Sequence, residues 1–242
     1  MDNFNDVFGE VSRVMFVFAH PDDAEIYSGG TIARLKHEGK QVKLVKMTSG
    51  NKGSRDMVIS EIELVSKRKQ EDLEALHHLG LNELDSVNLE IGDGEVENSL
   101  STIEKIVHEI RKFKPEVVVT HNPTEIVITD ENGENYINHR DHRNTGSSVV
   151  DACYPYSRDN LFFPHQLEGL TPHTTTKLLF VDSVKKSPLV SIDVTDFFQS
   201  KLSSISSHKS QLTKEKAIGL SEYFAKEIEG RRYEQYWRIT ID

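Results

Sequence analysis

Two short clusters of imidazole and carboxylate side chains stand out in this 242-residue chain, because together they could hold a metal ion beside a proton-transfer group. The first is His20-Pro21-Asp22-Asp23. His20 and Asp23 stand three residues apart, close enough to chelate one ion, and Asp22 is left over as a second carboxylate. The second is Asn138-His139-Arg140-Asp141-His142-Arg143, in which two imidazoles flank a carboxylate. Zinc hydrolases commonly use three protein ligands and keep one coordination position for water. His20, Asp23 and one His of the second cluster make such a set, leaving Asp22 and the other His for proton transfer. Read singly, each cluster could be a helix cap with a surface His. Two matched clusters, each just past a strand, favour the metal reading.

The elements that must position these groups are legible as an alternation of strand and helix. The apolar run Val14 to Phe18 reads as a buried strand, and the Pro-Asp-Asp turn after it starts a helix. That helix extends to Glu38, with Gly39 ending it and the costly pair Gly29-Gly30 inside it, a sign of close packing or close ligand approach. Gln41 to Met47 is the second strand and Thr48 to Asp56 a loop. A helix over 58–79 follows, then a short strand Ser86 to Leu89, the turn Gly92-Asp93-Gly94, and a helix ending at Phe113 that Asn98 or Ser99 caps. Glu116 to His121 is the fourth strand, and the second cluster opens a helix after a polar loop. This order implies an α/β fold, a single-domain Rossmann-like parallel sheet of order 3-2-1-4-5 flanked by helices over residues 1–242. In that order the ends of strands 1 and 4 flank the crevice where ligands bind. Additional C-terminal strands (Lys177 to Val184, Leu189 to Val194, and 233–239) and helices (Thr195 to Lys209, and around Glu215 to Ile228) complete the chain.

Composition narrows the function. A formal net charge of −10 argues against a nucleic-acid surface or an anionic-membrane footprint. The single Cys153 excludes an intrachain disulfide framework and suits a reducing compartment. No apolar run reaches the ~20 residues of a membrane span, so a soluble cytoplasmic protein is expected.

The paired motifs resemble those of the PIG-L/LmbE-like zinc de-N-acetylases. The resemblance also covers Gly29-Gly30-Thr31, Thr48-Ser49-Gly50-Asn51-Lys52-Gly53, Arg68 with Glu71, Gly92-Asp93-Gly94-Glu95, Arg158-Asp159-Asn160 and His208-Lys209-Ser210-Gln211. It implies a zinc (Zn2+) ion on His20, Asp23 and His142; His121, which ends a strand next to the proposed site, is the rival third ligand and is placed behind His142. The resemblance makes Asp22 the general base, His139 the group that stabilises or protonates the tetrahedral intermediate, and Asp141 the orienter of an imidazole. Arg68, which alone reads as part of a solvated helix face, becomes a candidate for substrate hydroxyl binding. Two positions depart from the family pattern. Arg140 stands where Pro is usual, and Asn51 stands where an acid often contacts substrate, which makes Asn51 the second candidate substrate-binding residue. Asp93 reads more simply as a turn former between glycines. Family members remove acetyl from N-acetylglucosamine-type sugars or conjugates, and many are homo-oligomers. The expectation is therefore a zinc-dependent hydrolase, likewise a homo-oligomer, whose partner is a small-molecule N-acetylated sugar or glycoconjugate. A zinc amidase acting on a thiol conjugate or other non-sugar amide is the alternative. A non-catalytic metal- or ligand-binding protein is the third reading, against which the spare Asp22 argues.

Overall fold

The computed structural model describes residues 1–130, 133–183 and 186–241. A short helix α1 (Phe4–Phe8) precedes β1 (Arg13–Phe18), α2 (Asp23–His37), β2 (Gln41–Thr48), α3 (Glu61–His78), β3 (Ser86–Ile91), α4 (Leu100–Phe113) and β4 (Val117–Thr120). Then come β5 (Val127–Thr129), β6 (Asn135–Ile137), α5 (Arg140–Asp151), β7 (Lys177–Phe180), β8 (Leu189–Asp193), α6 (Phe198–Ser207), α7 (Lys214–Phe224), β9 (Lys226–Ile228) and β10 (Arg231–Thr240).

The main sheet runs β3-β2-β1-β4-β7-β10-β8, with β9 paired to β10. Its first five strands are mutually parallel. The expected all-parallel sheet is corrected at β10, which runs antiparallel to β7, β8 and β9 and makes the sheet mixed. The physical reason is the order of elements. No helix long enough for a crossover separates β9 from β10, and a tight Glu229-Gly230 turn joins them, both residues at positive φ. The fifth place in the parallel row belongs to β7, which is shorter than the expected strand; Val184, the end of that expectation, lies outside the described residues.

The apolar runs follow from burial on both faces of the sheet. Along β1, Val14, Phe16 and Phe18 enter one core, with Ile32 and Leu35 of α2 and Leu76 of α3. Met15 and Val17 enter the other, with Ile103, Ile106 and Ile110 of α4 and Val149 of α5. The helix starts are chemically marked: Ser60 and Glu63 form a capping box on α3, and Ser99 caps α4.

The glycine pair in α2 has a specific cause. Gly30 N–H and Ile26 C=O are the two ends of one regular helix hydrogen bond. Here the Gly30 N–H donates to Glu234 Oε1 (3.0 Å), and the Ile26 carbonyl accepts from Lys201 Nζ (2.6 Å). Thr31 N–H donates to the other Glu234 oxygen (2.7 Å), and Lys201 and Glu234 pair at 2.7 Å with neither side chain exposed. An ion pair is thus hydrogen-bonded directly to backbone groups of α2. A Cβ on Gly29 would meet Lys201 at 3.2 Å, and one on Gly30 would meet Val194 at 2.6 Å.

Candidate active site

The adjacent strands β1 and β4 end side by side, with Val17 in register with Thr120, and deliver Ala19-His20 and His121 to the same edge. The N-terminus of α2 supplies Asp22 and Asp23, and the first turn of α5 supplies His139, Asp141 and His142. A cavity of about 660 Å³ opens over them, lined among others by His20, Asp22, Asp23, Arg68, Asp93, His139 and His142.

Asp23 is the hub. One carboxylate oxygen accepts the His20 backbone N–H (2.7 Å) and lies 3.4 Å from His20 Nδ1; the other lies 3.4 Å from His142 Nε2. Burial pushes this carboxyl up, but the His142 and His121 imidazoles outweigh that and hold it well below the usual range. The far nitrogen of His20, Nε2, sits 3.2 Å from Asp93 and 3.3 Å from Asp141, which leaves Nδ1 turned to Asp23. Asp141 is itself fixed by the Gly94 N–H (2.6 Å) and the Val96 N–H (3.3 Å). A carboxylate behind a metal-binding imidazole commonly fixes its tautomer in this way. Burial works against a proton on His20, but Asp141, Asp23 and Asp93 together raise its pKa well above the ordinary value.

His121 also reaches Asp23, with Nε2 at 3.3 Å, and its ring stacks on His142 at 3.9 Å. The same nitrogen lies 3.2 Å from the Ala19 N–H, so in either tautomer it is engaged within the protein. Burial, then the charge of His142, depresses its pKa to about 3, so it is neutral. Among the described residues the donor atoms that could share an ion form three overlapping groups: His20, His139 and His142; Asp23, His121 and His142; and His20, Asp93 and Asp141. Nitrogen and carboxylate donors in a cleft with four aspartates suit a borderline divalent cation such as zinc.

Asp22 stands at the N-cap of α2 but makes no side-chain cap bond, so the helix-cap reading does not describe it. Its backbone has φ 122°, a costly conformation for a residue with a Cβ, worth about 1–3 kcal/mol. Arg68 holds the region: its guanidinium donates to the Pro21 carbonyl (2.6 Å) and the Gly50 carbonyl (3.2 Å) and lies 3.3 Å from the Asp22 carboxylate. Burial raises the Asp22 pKa, and the Arg68 charge is the main opposing influence. Arg68 is 3 % exposed rather than on a solvated face. His139 Nδ1 accepts the Asp141 N–H (3.1 Å), so the proton of its neutral ring sits on Nε2. Burial, followed by the charges of His20 and His142, lowers its pKa.

Asn51 is not brought into this cavity. Its amide donates to Glu61 (2.7 Å) and its carbonyl accepts the Asp93 N–H (2.9 Å). Arg140 grips the same turn through the Gly94 and Val96 carbonyls (2.8 and 3.1 Å). Both departures from the family pattern thus brace the turn that carries Asp93. Asp93 itself does more than form a turn, since its carboxylate meets His20. Gln211 lines the cavity from a segment whose Ser210 N–H and hydroxyl both donate to Glu71 (2.7 and 2.6 Å). The expected polar loop before the second cluster contains the β5–β6 hairpin, which adds Asn135 and Tyr136 to the cavity; Tyr136 donates to Asp182 (2.5 Å). The β-branched run at 126–129 and the Asn132-Gly133 pair were the sequence signals for it, though Asn132 lies outside the described residues.

An α/β sheet that brings a His/Asp cluster to adjacent strand ends offers a candidate site for a divalent metal ion. The chain belongs to the PIG-L family, GlcNAc-PI de-N-acetylase, whose model matches residues 15–153. It is 30% identical over 207 residues to the diacetylchitobiose deacetylase of Thermococcus kodakarensis, covering 86% of this chain and 73% of that protein. It is 30% identical over 169 residues to the 1D-myo-inositol 2-acetamido-2-deoxy-alpha-D-glucopyranoside deacetylase of Segniliparus rotundus, covering 58% of this chain and 50% of that one. The solved N,N'-diacetylchitobiose deacetylase of Pyrococcus horikoshii superposes with a TM-score of 0.84 at 27% identity, covering 99% of this chain and 87% of that chain. Among the described residues no helix is long and apolar enough to cross a membrane.

Proposed function

We propose that this protein is a zinc-dependent N-deacetylase that hydrolyses the acetamide of an N-acetylglucosamine-type sugar, releasing acetate and a free amine. One observation carries the reading: Asp23 lies 3.4 Å from both His20 Nδ1 and His142 Nε2, and although these three do not form one of the compact donor groups, each belongs to one, with Asp22 and His139 lining the same cavity of about 660 Å³. The sugar deacetylase relatives support the substrate class.

His20 Nδ1, Asp23 and His142 Nε2 would hold the ion, and His121 stays behind them as a support for Asp23. When bound, zinc lowers the pKa of water to about 7 and polarises an acyl oxygen. Asp22, whose pKa burial raises against the opposing charge of Arg68, takes in its carboxylate form the proton of the attacking water. His139, with its proton on Nε2, donates to the oxygen on which negative charge develops. Asp141 fixes the His20 ring, and the proton taken by Asp22 is available to the departing amine. Arg68 is a positioning residue for Asp22 in this scheme, and Asn51 one for the Asp93 turn; Asp93 and Gln211 are the groups placed to meet sugar hydroxyls. A homo-oligomer and a cytoplasmic location belong to the same proposal.

The test is acetate release from N-acetylglucosamine and N,N'-diacetylchitobiose by the purified protein, before and after chelation and with zinc restored. Turnover that chelation abolishes and zinc restores is the expected result. Absence of amide cleavage on both sugars, with cleavage of thiol conjugates or other amides, would move the reading to the non-sugar amidase.

A further inference from the structure

The cavity has two unlike sides. Beside His20 stands Asp93, and His139 lies close to both imidazoles, its ring 4.9 Å from His20 and 5.4 Å from His142. On the His142 side stands Tyr27, its ring edge-on to His142 at 6.2 Å and to His121 at 5.5 Å. Phe224 meets Tyr27 edge-on at 4.6 Å, and Phe18 stacks on it at 6.0 Å. Phe18 and His121 are buried, so the Tyr27 ring is the boundary between the cavity and the core. Ile26 and Leu220 continue the same apolar wall.

An N-acylated sugar presents hydroxyls on one part and an apolar carbon chain on the other. The hydroxyls require hydrogen-bonding partners when buried, and Asp93, which meets His20, together with Gln211 and Asn135 of the same cavity can supply them. From this sidedness we infer that Tyr27 is the specificity-determining residue for the acyl group: its ring closes the end of the cavity that receives the acyl chain and restricts that chain to the size of acetyl. The inference rests on the N-deacetylase reading above. In the reaction the water oxygen bonds to the acyl carbon, the C–N bond breaks, and the amine leaves with a proton. The chain beyond the acyl carbon is untouched, so its length matters only through the space beside it. Phe18 and Phe224 flank the Tyr27 ring and support it from the core side.

The experiment compares kcat/KM for N-acetyl-, N-propionyl- and N-butyrylglucosamine, followed by amine release, in the zinc-loaded wild type and in Tyr27→Ala, Tyr27→Leu and Tyr27→Phe. Calorimetric binding of acetate and butyrate gives a second readout that needs no turnover. In the wild type each added methylene should lower kcat/KM by about 10-fold or more. Tyr27→Ala and Tyr27→Leu should raise the butyryl-to-acetyl ratio by about 10-fold or more. Tyr27→Phe keeps the ring and should keep the wild-type ratio, and butyrate should gain on acetate in the Ala and Leu variants only. An unchanged ratio in both the Ala and Leu variants overturns the inference, as does a Phe variant that changes it equally. Should Tyr27→Ala fail to fold, Tyr27→Leu decides. A wild type that cleaves acetyl but shows no change across the variants refutes the role of Tyr27 alone; one that cleaves no member of the series refutes the deacetylase reading with it.

Discussion

Helix α2 touches two groups of charges that differ in almost every physical respect. At its N-terminus Asp22 and Asp23 face His20, Asp93 and Asp141 across a cavity, and Arg68 is the permanent cation beside them. Two turns later the helix is entered by Lys201 and Glu234, one cation to one anion, neither exposed. In the second group the charged atoms are matched to the helix's own N–H and C=O groups. In the first, both His20 nitrogens and both Asp23 oxygens face other titratable groups, and the cluster lines a cavity. A closed network of that second kind holds a shape. Carboxylates that outnumber permanent cations beside a cavity, one of them on a strained backbone, are the pattern of a candidate functional site.

The sharpest way to break this contrast is to change the two neighbouring carboxylates at the cavity. Asp22→Asn keeps size but cannot accept a proton as a carboxylate does. Turnover should fall by ~10²–10⁴, with zinc content retained. Asp23→Ala should instead lose zinc, because it removes the residue to which both His20 and His142 are turned. Zinc analysis and acetate release on both variants decide it; metal loss in Asp22→Asn would refute the division between base and ligand.

The buried pair should fail in stability rather than chemistry. Lys201→Met leaves Glu234 buried without its cation and removes the Lys201 hydrogen bond to the Ile26 carbonyl. Breaking one partner of such a pair costs about 3–5 kcal/mol. Urea unfolding should show this loss, while zinc content of the folded fraction at low temperature stays near that of the wild type. A Lys201→Met protein as stable as the wild type would show that the buried pair is not what holds α2.

How far the sequence disclosed this arrangement depends on the range of the interactions. The β1 run, the Pro21 turn and the two His motifs are local, so strand, helix start and candidate ligands were readable from neighbours alone. The first four strands take the order that alternation suggests, but β10 does not, because its antiparallel pairing is made with strands β7 and β8 far along the chain. Arg68 looked solvent-facing on a charge-dense helix; only the tertiary fold brings it to Pro21 and Asp22. Asp93 looked like a turn former because its partner, His20, lies 73 residues away. Gly29-Gly30 announced close packing, yet Lys201 and Glu234 could not be named as the intruders.

That glycine pair offers a smaller test of the buried side. On Gly30 a Cβ would sit 2.6 Å from the branched Cβ of Val194, which has no flexible end to move aside. Gly30→Ala should cost about 1–3 kcal/mol, the usual range for overpacking. Gly29→Ala meets only the Lys201 backbone and aliphatic stem at 3.2–3.4 Å, and helix propensity favours alanine by about 1 kcal/mol, so it should be nearly neutral. Equal costs for the two would mean that crowding at Val194 does not decide them. Denaturant midpoints measure both.

The finest test sits where the open cluster meets its permanent cation. Asp22 acts as a base only when ionised, and burial raises its pKa, so activity should decline as pH falls through a value above the ordinary carboxylate range. Arg68 opposes that rise from 3.3 Å. Removing the positive charge leaves burial less opposed, the Asp22 pKa climbs further, and the acid limb moves to higher pH. Arg68→Met should therefore lose activity at a higher pH than the wild type. Arg68→Lys keeps a positive charge though not the fork that also binds Pro21 and Gly50, so its acid limb should stay closer to that of the wild type even if kcat drops. The midpoint of the acid limb, rather than the size of kcat, is the quantity to compare, because loosening the Pro21 turn lowers kcat at every pH. Acid limbs displaced equally in both variants would assign the effect to geometry, and the claim that the Arg68 charge opposes the rise in the Asp22 pKa would fall.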